Sequence, residues 1–139
     1  MNYENISADE FGRSLSGFGI NILLKDVCRT VYFLKRVFAL KCHQVSNDFA
    51  IVSHENHVLQ LQADHTYHSH PMIDLIPENP PRGLGIEIRL YDYDPDAAVK
   101  NAETCEYHVI EPALTKPHDL REAFIQCNDG YVWCPSKKS

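Results

Sequence analysis

The sequence predicts a mixed α+β domain made of two β-α-β-β-β modules, and a repeated segment is the first observation that predicts it. Residues 19–24 (Gly-Ile-Asn-Ile-Leu-Leu) are echoed by residues 85–90 (Gly-Ile-Glu-Ile-Arg-Leu). Both runs are rich in isoleucine, which favours strands, and both precede a helix start signal. Three further strand candidates, separated by turn residues, follow each predicted helix. The two halves of the chain therefore share one order of elements.

The first module spans about residues 18–62. After the first strand, Asp26 is placed to cap a helix. The apolar stripe of that helix is formed by Val27, Val31, Leu34 and Phe38, which recur at helical spacing. Strands are then predicted over residues 41–46, 48–53 and 57–62.

The second module spans about residues 83–135. Asp94 is the predicted helix cap, and Pro95 stands at the first helical position, where its missing N–H leaves no hydrogen bond unmade. Strands are predicted over residues 107–111, 120–127 and 131–134. We expect Trp133 to be a core or interface residue rather than one that stacks on a ligand, and residues 136–139 to be a tail.

Two segments lie outside the modules. Residues 1–17 form an N-terminal extension with a short helix, because Ser7 and Glu10 fit a capping box, and Phe11, Leu15 and Phe18 recur at helical spacing. Residues 63–82 contain Pro71, Pro77, Pro80 and Pro81. A connection of this length is expected to be a linker, a lid or a binding loop.

Composition and charge limit the number of domains and the kinds of partner that we expect. The chain has 139 residues, enough for one domain, and a net charge of −6. An acidic chain builds no positive field for phosphate backbones, so nucleic acid is not an expected partner. No apolar run near the start is long enough for a membrane helix. The cysteines form no C-x-x-C pair, and we expect reduced thiols in a cytoplasmic protein.

Alternation along the strands predicts a polar sheet face. Alternate side chains of a strand point to opposite sides, so each sheet has an aliphatic face that can rest on a helix and a second face of mixed polarity. If the two sheets curl toward each other, the second faces line a shared pocket. The residues predicted to bind a ligand there are Asn21, Gln60, Gln62, Glu87, Arg89 and Tyr91.

Glu87 is the only candidate catalytic residue, and two interpretations stay open for it. It is either a carboxylate that binds a ligand or acts as a base, or the partner of Arg89 in a structural ion pair. Arg121 and Glu122 point to opposite faces of one strand, so at most one of them lines the pocket.

From Phe18 to Pro135 the sequence resembles the vicinal oxygen chelate superfamily, which includes glyoxalase I, extradiol dioxygenases, and the bleomycin- and fosfomycin-resistance proteins. The matching pieces are residues 22–27 with Phe33, residues 94–98, and residues 120–122 followed by 128–133. This resemblance implies glyoxalase/bleomycin-resistance-like modules whose mixed sheets are half-closed cups. It also implies a homodimer with binding sites built between modules.

The resemblance also bears on metal binding. Metal-using members carry ligands at four positions, where this chain has Gly19, Gln60, Glu87 and Cys134. Glycine offers no side chain and glutamine is a poor ligand, so the expectation is no metal of the family type and no cofactor. His65, His68 and His70 in the linker are a weaker alternative metal site, or else part of an exposed loop.

The expected function is therefore a metal-independent small-molecule binding protein of the antibiotic-sequestration kind. One alternative is a metal-dependent glyoxalase- or dioxygenase-like enzyme acting on a small oxygenated substrate. Another is a metal-free enzyme that uses Glu87 as its general base.

Overall fold

The computed structural model describes residues 1–139, which form two compact units. One unit contains residues 1–35 and 40–73, and the other contains residues 36–39 and 74–139. Each unit has one four-stranded sheet. The elements are α1 (Ala8–Ser14), β1 (Asn21–Leu24), α2 (Val27–Phe38), β2 (Lys41–His43), β3 (Phe49–His54), β4 (His57–Ala63), β5 (Glu87–Tyr91), α3 (Pro95–Thr104), β6 (His108–Thr115), β7 (Leu120–Gln126) and β8 (Val132–Lys138).

The two sheets have the same topology, which confirms the predicted repeat. The first sheet has the order β1-β4-β3-β2, and the second has the order β5-β8-β7-β6. In each, the first strand pairs in parallel with the last strand of its module, and the other pairings are antiparallel. Neither sheet closes on itself. Both are therefore mixed sheets that are not closed, which agrees with the predicted mixed, half-closed sheets.

The predicted helix signals are confirmed. The Asp26 carboxylate accepts from the Arg29 N–H at 3.0 Å, and the four predicted stripe residues of α2 are all buried. Asp94 accepts from the Asp96 N–H at 3.0 Å at the start of α3. In the second unit α3 contacts β6, β7 and β8. No helix in the chain is both long enough and apolar enough to cross a bilayer.

Strand ends differ from the prediction in both modules. β1 and β5 start two residues later than the repeat suggested, so Ile20 and Ile86 precede the strands and are exposed. β6 runs through Pro112 with two register shifts, which an edge strand tolerates because its outer N–H groups need no partner. β8 continues past Pro135 to Lys138 and takes in most of the predicted tail.

The N-terminal extension is helical over a shorter span than its apolar spacing suggested. Ser7 caps α1 by accepting from the Glu10 N–H at 3.2 Å, which confirms the capping box. α1 then ends at Ser14, and Leu15 is already extended. Only Phe11 of the three predicted apolar positions is buried, whereas Leu15 and Phe18 are exposed.

Within the linker, two short 3-10 helices span Asp64–Tyr67 and Pro71–Leu75. The end of the linker is attached to the β7–β8 hairpin, where the Arg82 N–H donates to the Asp129 carbonyl oxygen at 2.7 Å. Arg82 is buried, and its Nε donates to the Pro77 carbonyl oxygen at 3.0 Å. The linker is therefore ordered by backbone and arginine hydrogen bonds at its second end.

Candidate functional site

In the first unit, three predicted ligand-binding residues share one face of the sheet. Asn21 pairs with Gln60 across β1 and β4, and Leu23 pairs with Gln62, so Asn21, Gln60 and Gln62 point to the same side. The Asn21 amide donates to the Tyr67 hydroxyl at 3.5 Å, and the Gln62 side-chain oxygen accepts from Thr66 at 3.5 Å. The Gln60 side chain has no hydrogen-bond partner in the chain. We call this side the open face of the first sheet.

In the second unit, the other three predicted residues follow each other along one side of β5. Glu87, Arg89 and Tyr91 pair with Val132, Cys134 and Ser136 of β8. The Arg89 guanidinium donates to Glu87 Oε1 at 2.7 Å and lies 5.5 Å from the centroid of the Tyr91 ring. We call this side the open face of the second sheet. The ion-pair interpretation of Glu87 is the one that the side chains adopt.

Glu122 also belongs to this group. The sequence alone did not show whether Glu122 or Arg121 lies on this face. The Glu122 carboxylate accepts from the second terminal nitrogen of Arg89, and its side chain is only 6% exposed. Arg121 points the other way and donates to both carboxylate oxygens of Asp96 at 2.7 and 2.8 Å. The burial of the flanking Ala123 and Ile125 decides which face each residue takes. Knowing that Ala123 and Ile125 are buried would have shown which of the two residues faces Arg89, but burial cannot be read from a single sequence.

Further charges extend the group toward β6. Lys116 pairs with Glu111, and His118 Nε2 lies 3.5 Å from Glu122 Oε2. We call the set the ionic cluster, and its members are Glu87, Arg89, Glu111, Lys116, His118 and Glu122. Three carboxylates and two permanent cations give the cluster a net charge of −1 when His118 is neutral.

Burial and pairing oppose each other at the centre of the cluster. Burial acts to lower the pKa of Arg89, but its hydrogen bonds to Glu122 and Glu87 outweigh burial and raise that pKa above its ordinary value. Burial acts to raise the pKa of Glu122, and the bond from Arg89 overcomes this and lowers it. Both groups are therefore charged at neutral pH, and their pairing stabilises the two charges at this partly buried position.

Two buried side chains lie on the same face. Burial raises the pKa of the Cys134 thiol to about 12, and the carboxylates of Glu122, Glu87 and Glu111 act in the same direction, against the opposing effect of Arg89. Cys134 is thus a neutral thiol. The Ser136 hydroxyl is fully buried and has no hydrogen-bond partner.

No protein-family model and no curated protein sequence matches the chain. Solved structures do match. A glyoxalase/bleomycin resistance protein/dioxygenase family enzyme from Burkholderia phytofirmans PsJN has a TM-score of 0.71 and 14% identity over 86% of this chain and 96% of that one. A glyoxalase-related enzyme from Fulvimarina pelagi has a TM-score of 0.69 and 12% identity over 89% of each chain.

The chain has the glyoxalase/bleomycin resistance/dioxygenase fold. A third neighbour, TioX from Micromonospora sp. ML1, matches with a TM-score of 0.63 and 14% identity over 89% of this chain and 97% of that one. The resemblance found in the sequence is thereby confirmed at the level of fold. At these identities the likeness carries no activity across, so the site must be argued from its own residues.

The four residues that the sequence resemblance assigns to the family's metal positions are a poor ligand set for a divalent ion. In the first unit, Gly19 has no side chain and Gln60 is a neutral amide. In the second unit, Glu87 is already paired with Arg89, and Cys134 is a protonated thiol, whereas metal ligands must be deprotonated. No group of three or more His, Cys, Asp or Glu side chains is arranged to hold a metal ion.

The linker histidines make other contacts. His65 Nε2 lies 2.6 Å from Asp48 Oδ1, both largely exposed. His68 Nδ1 lies 3.0 Å from the His65 carbonyl oxygen, and His70 Nδ1 accepts from the Met72 N–H at 3.0 Å. Each ring is therefore engaged locally, and the three do not converge on one point.

Proposed function

We propose that the protein binds a small cationic molecule on the open face of the second sheet, without a metal ion. The observation that supports this most directly is Arg89 fixed between Glu87 and Glu122. Each terminal nitrogen of the guanidinium donates to a carboxylate, so the charge of Arg89 is already compensated within the chain and an anionic ligand would also meet those two carboxylates. A cationic ligand is instead attracted by the carboxylates.

Glu87 supplies the contact for that cation. Its side chain is 48% exposed, and only one of its carboxylate oxygens bonds to Arg89. The second oxygen is available to accept from a ligand N–H. Carboxylates exceed cations in the cluster, which favours positive charge further. Tyr91, 53% exposed beside Arg89, offers an aromatic surface for a planar or cationic group.

Arg89 is also the reason that the proposed binding needs no metal ion. In a carboxylate site, a divalent ion supplies the positive charge that holds the acidic groups together. Here the guanidinium supplies that charge, and the donor set is deficient in both units. Ligand capture by hydrogen bonds and charge is the mechanism that these side chains support.

The test uses the fluorescent dication 4′,6-diamidino-2-phenylindole as probe, titrated into the purified protein with and without EDTA. Because a hydrogen bond to a charged group contributes about 1.5–3 kcal/mol, we expect Glu87→Gln to weaken binding by at least about tenfold. Glu103→Gln, which removes the same charge from an exposed position on α3, should change the affinity by less than about twofold. EDTA should have no effect.

Two results would overturn the proposal. Equal affinity of the wild type and Glu87→Gln for the probe would remove Glu87 from the binding site. One equivalent of metal retained by protein purified without chelator, together with loss of binding in EDTA, would favour the alternative function from the sequence resemblance, a metal-dependent glyoxalase- or dioxygenase-like enzyme.

A further inference from the structure

The first unit contains an arrangement that the proposed function does not use: the N-terminal segment is attached to the open face of the first sheet. The Gln44 side-chain amide donates to the carbonyl oxygens of Tyr3 at 2.8 Å and Ile6 at 3.0 Å. The Tyr3 ring lies 5.5 Å from the His43 ring. His43 pairs with Ile51, which pairs with Gln60, so Tyr3 reaches the same face as the Gln60 amide.

Between this segment and the start of β4 lies a cavity of about 420 Å³. That volume falls within the range of roughly 300–1,000 Å³ that is usual for small-molecule sites. The lining contains no Asp, Glu, Lys or Arg. Its residues are Tyr3, the segment 14–20, and the segment 56–60.

One wall of the cavity is a strap of residues 15–20 that joins α1 to β1. Phe18 is fully exposed, and Leu15 and Ile20 are 42% and 46% exposed. Space is open around Gly17 and Gly19, which flank Phe18. Exposing three large apolar side chains to water next to one cavity is unfavourable. An apolar ligand in the cavity would bury part of that surface.

The opposite wall carries the polar anchor. Gln60 is half-buried and its amide has no partner within the chain, whereas the amides of Asn21 and Gln62 on the same face each make a hydrogen bond. A carboxamide can donate and accept at once. It therefore suits a ligand that carries one uncharged polar group.

We propose that this cavity is a second binding site, for an uncharged aromatic or aliphatic molecule with a single hydrogen-bonding group. The ligand's polar group bonds to the Gln60 amide, and its apolar body is covered by Phe18 and its neighbours on the strap. The absence of charged side chains from the lining separates this site from the ionic cluster, which selects positive charge.

The probe is N-phenyl-1-naphthylamine, an uncharged aromatic amine whose fluorescence rises in apolar surroundings. We expect saturable binding of one probe per chain. Phe18→Ala should weaken it by about tenfold, because the covering ring is lost; since Phe18 is fully exposed, the fold should be unaffected. Gln60→Leu, which removes one net hydrogen bond, should weaken binding by about twofold to tenfold.

Val58→Trp tests occupancy directly, because it should fill the cavity and abolish binding. The matched control is Val45→Trp, in the same unit but outside the lining, which should bind the probe as the wild type does. Phe18→Ala should leave the affinity for 4′,6-diamidino-2-phenylindole, the probe of the cation site, unchanged. The proposed cavity site can therefore be disproved while the proposed cation site stands.

Unchanged probe affinity in Phe18→Ala and Val58→Trp would overturn the proposal. If Phe18→Ala instead changed the sedimentation coefficient and left probe affinity unchanged, the strap would be an interface between copies of the chain. That result would also exclude the small-molecule site.

Discussion

The open faces of the two sheets differ although the sheets are built alike. Both have the same strand order and the same single parallel pairing. On the first sheet the predicted ligand-binding residues are neutral amides, and on the second they belong to an ionic cluster. The repeated backbone therefore fixes where side chains point, while the identity of those side chains decides what each face can bind.

The two faces also differ in the free energy that is lost when a polar side chain has no partner. A neutral amide such as Gln60 can stay unpaired at a half-buried position, because it retains some contact with water. Glu122 is 6% exposed and charged, which is tolerable only because Arg89 compensates it. The second face should therefore be much more sensitive to the loss of one partner than the first.

The largest expected effect is that of Arg89→Met. It keeps the length of the side chain but leaves Glu122 without its cation, and breaking such a pair from one side costs about 3 kcal/mol of unfolding free energy. Gln60→Leu on the first sheet should change that free energy by less than about 1 kcal/mol. Urea unfolding at pH 7, followed by circular dichroism, measures both.

A double-mutant cycle checks the cause. Glu122→Leu combined with Arg89→Met removes both charges, so the double variant should be more stable than Arg89→Met alone. If the double variant is instead as unstable as the sum of the single ones, the two side chains act independently. The contrast between the two faces would then have another origin.

Much of the fold could be predicted from the sequence because its signals are local. The repeat, the helix caps at Asp26 and Asp94 and the turn residues each act over a few positions, and Trp133 is in the core as expected, in contact with Phe38. Strand ends were less predictable, because Pro112 and Pro135 are typical strand breakers. Pro112 is tolerated because β6 is an edge strand, whereas Pro135 lies in β8, which is paired on both sides, and no local signal predicts it there.

The site was less predictable because its contacts are distant in sequence. Glu87 and Arg89 are two residues apart on one strand and could be paired by reading alternation. Arg89 and Glu122 are 33 residues apart. Which of Arg121 and Glu122 faces Arg89 depends on strand register, and that follows from the packing of Ala123 and Ile125 rather than from any local motif.

A smaller effect is expected from acid. The pKa of Glu122 is lowered by Arg89 despite its burial, so the stability that this pair provides is complete above the ordinary value of 4.5 and is lost as pH falls through the lowered value. The difference in unfolding free energy between the wild type and Arg89→Met should thus shrink as the pH falls from 7 through the lowered pKa of Glu122. Urea titrations at a series of pH values measure it. A difference that is constant with pH would show that Glu122 is not what Arg89 compensates.

The equivalent hairpins of the two sheets provide the last comparison. In the β7–β8 hairpin, Gly130 has φ +107°, and a Cβ there would lie 2.5 Å from the Arg82 backbone nitrogen, so glycine is required. In the β3–β4 hairpin, Glu55 and Asn56 both have positive φ, at 48° and 65°, with His54 and His57 paired on either side. This two-residue loop has no glycine and places a glutamate in the left-handed region.

The smallest expected effect follows from that loop. Asparagine adopts the left-handed region more readily than glutamate, and it is favoured at the first position of two-residue hairpins. Glu55→Asn should therefore raise the unfolding free energy by about 0.5 kcal/mol, seen as a higher urea midpoint with an unchanged slope. Glu55→Gln, which removes the charge but has no such conformational preference, should leave the midpoint where it is. If both variants raise it equally, the gain comes from charge. The first hairpin would then not be strained by its sequence in the way that its backbone angles indicate.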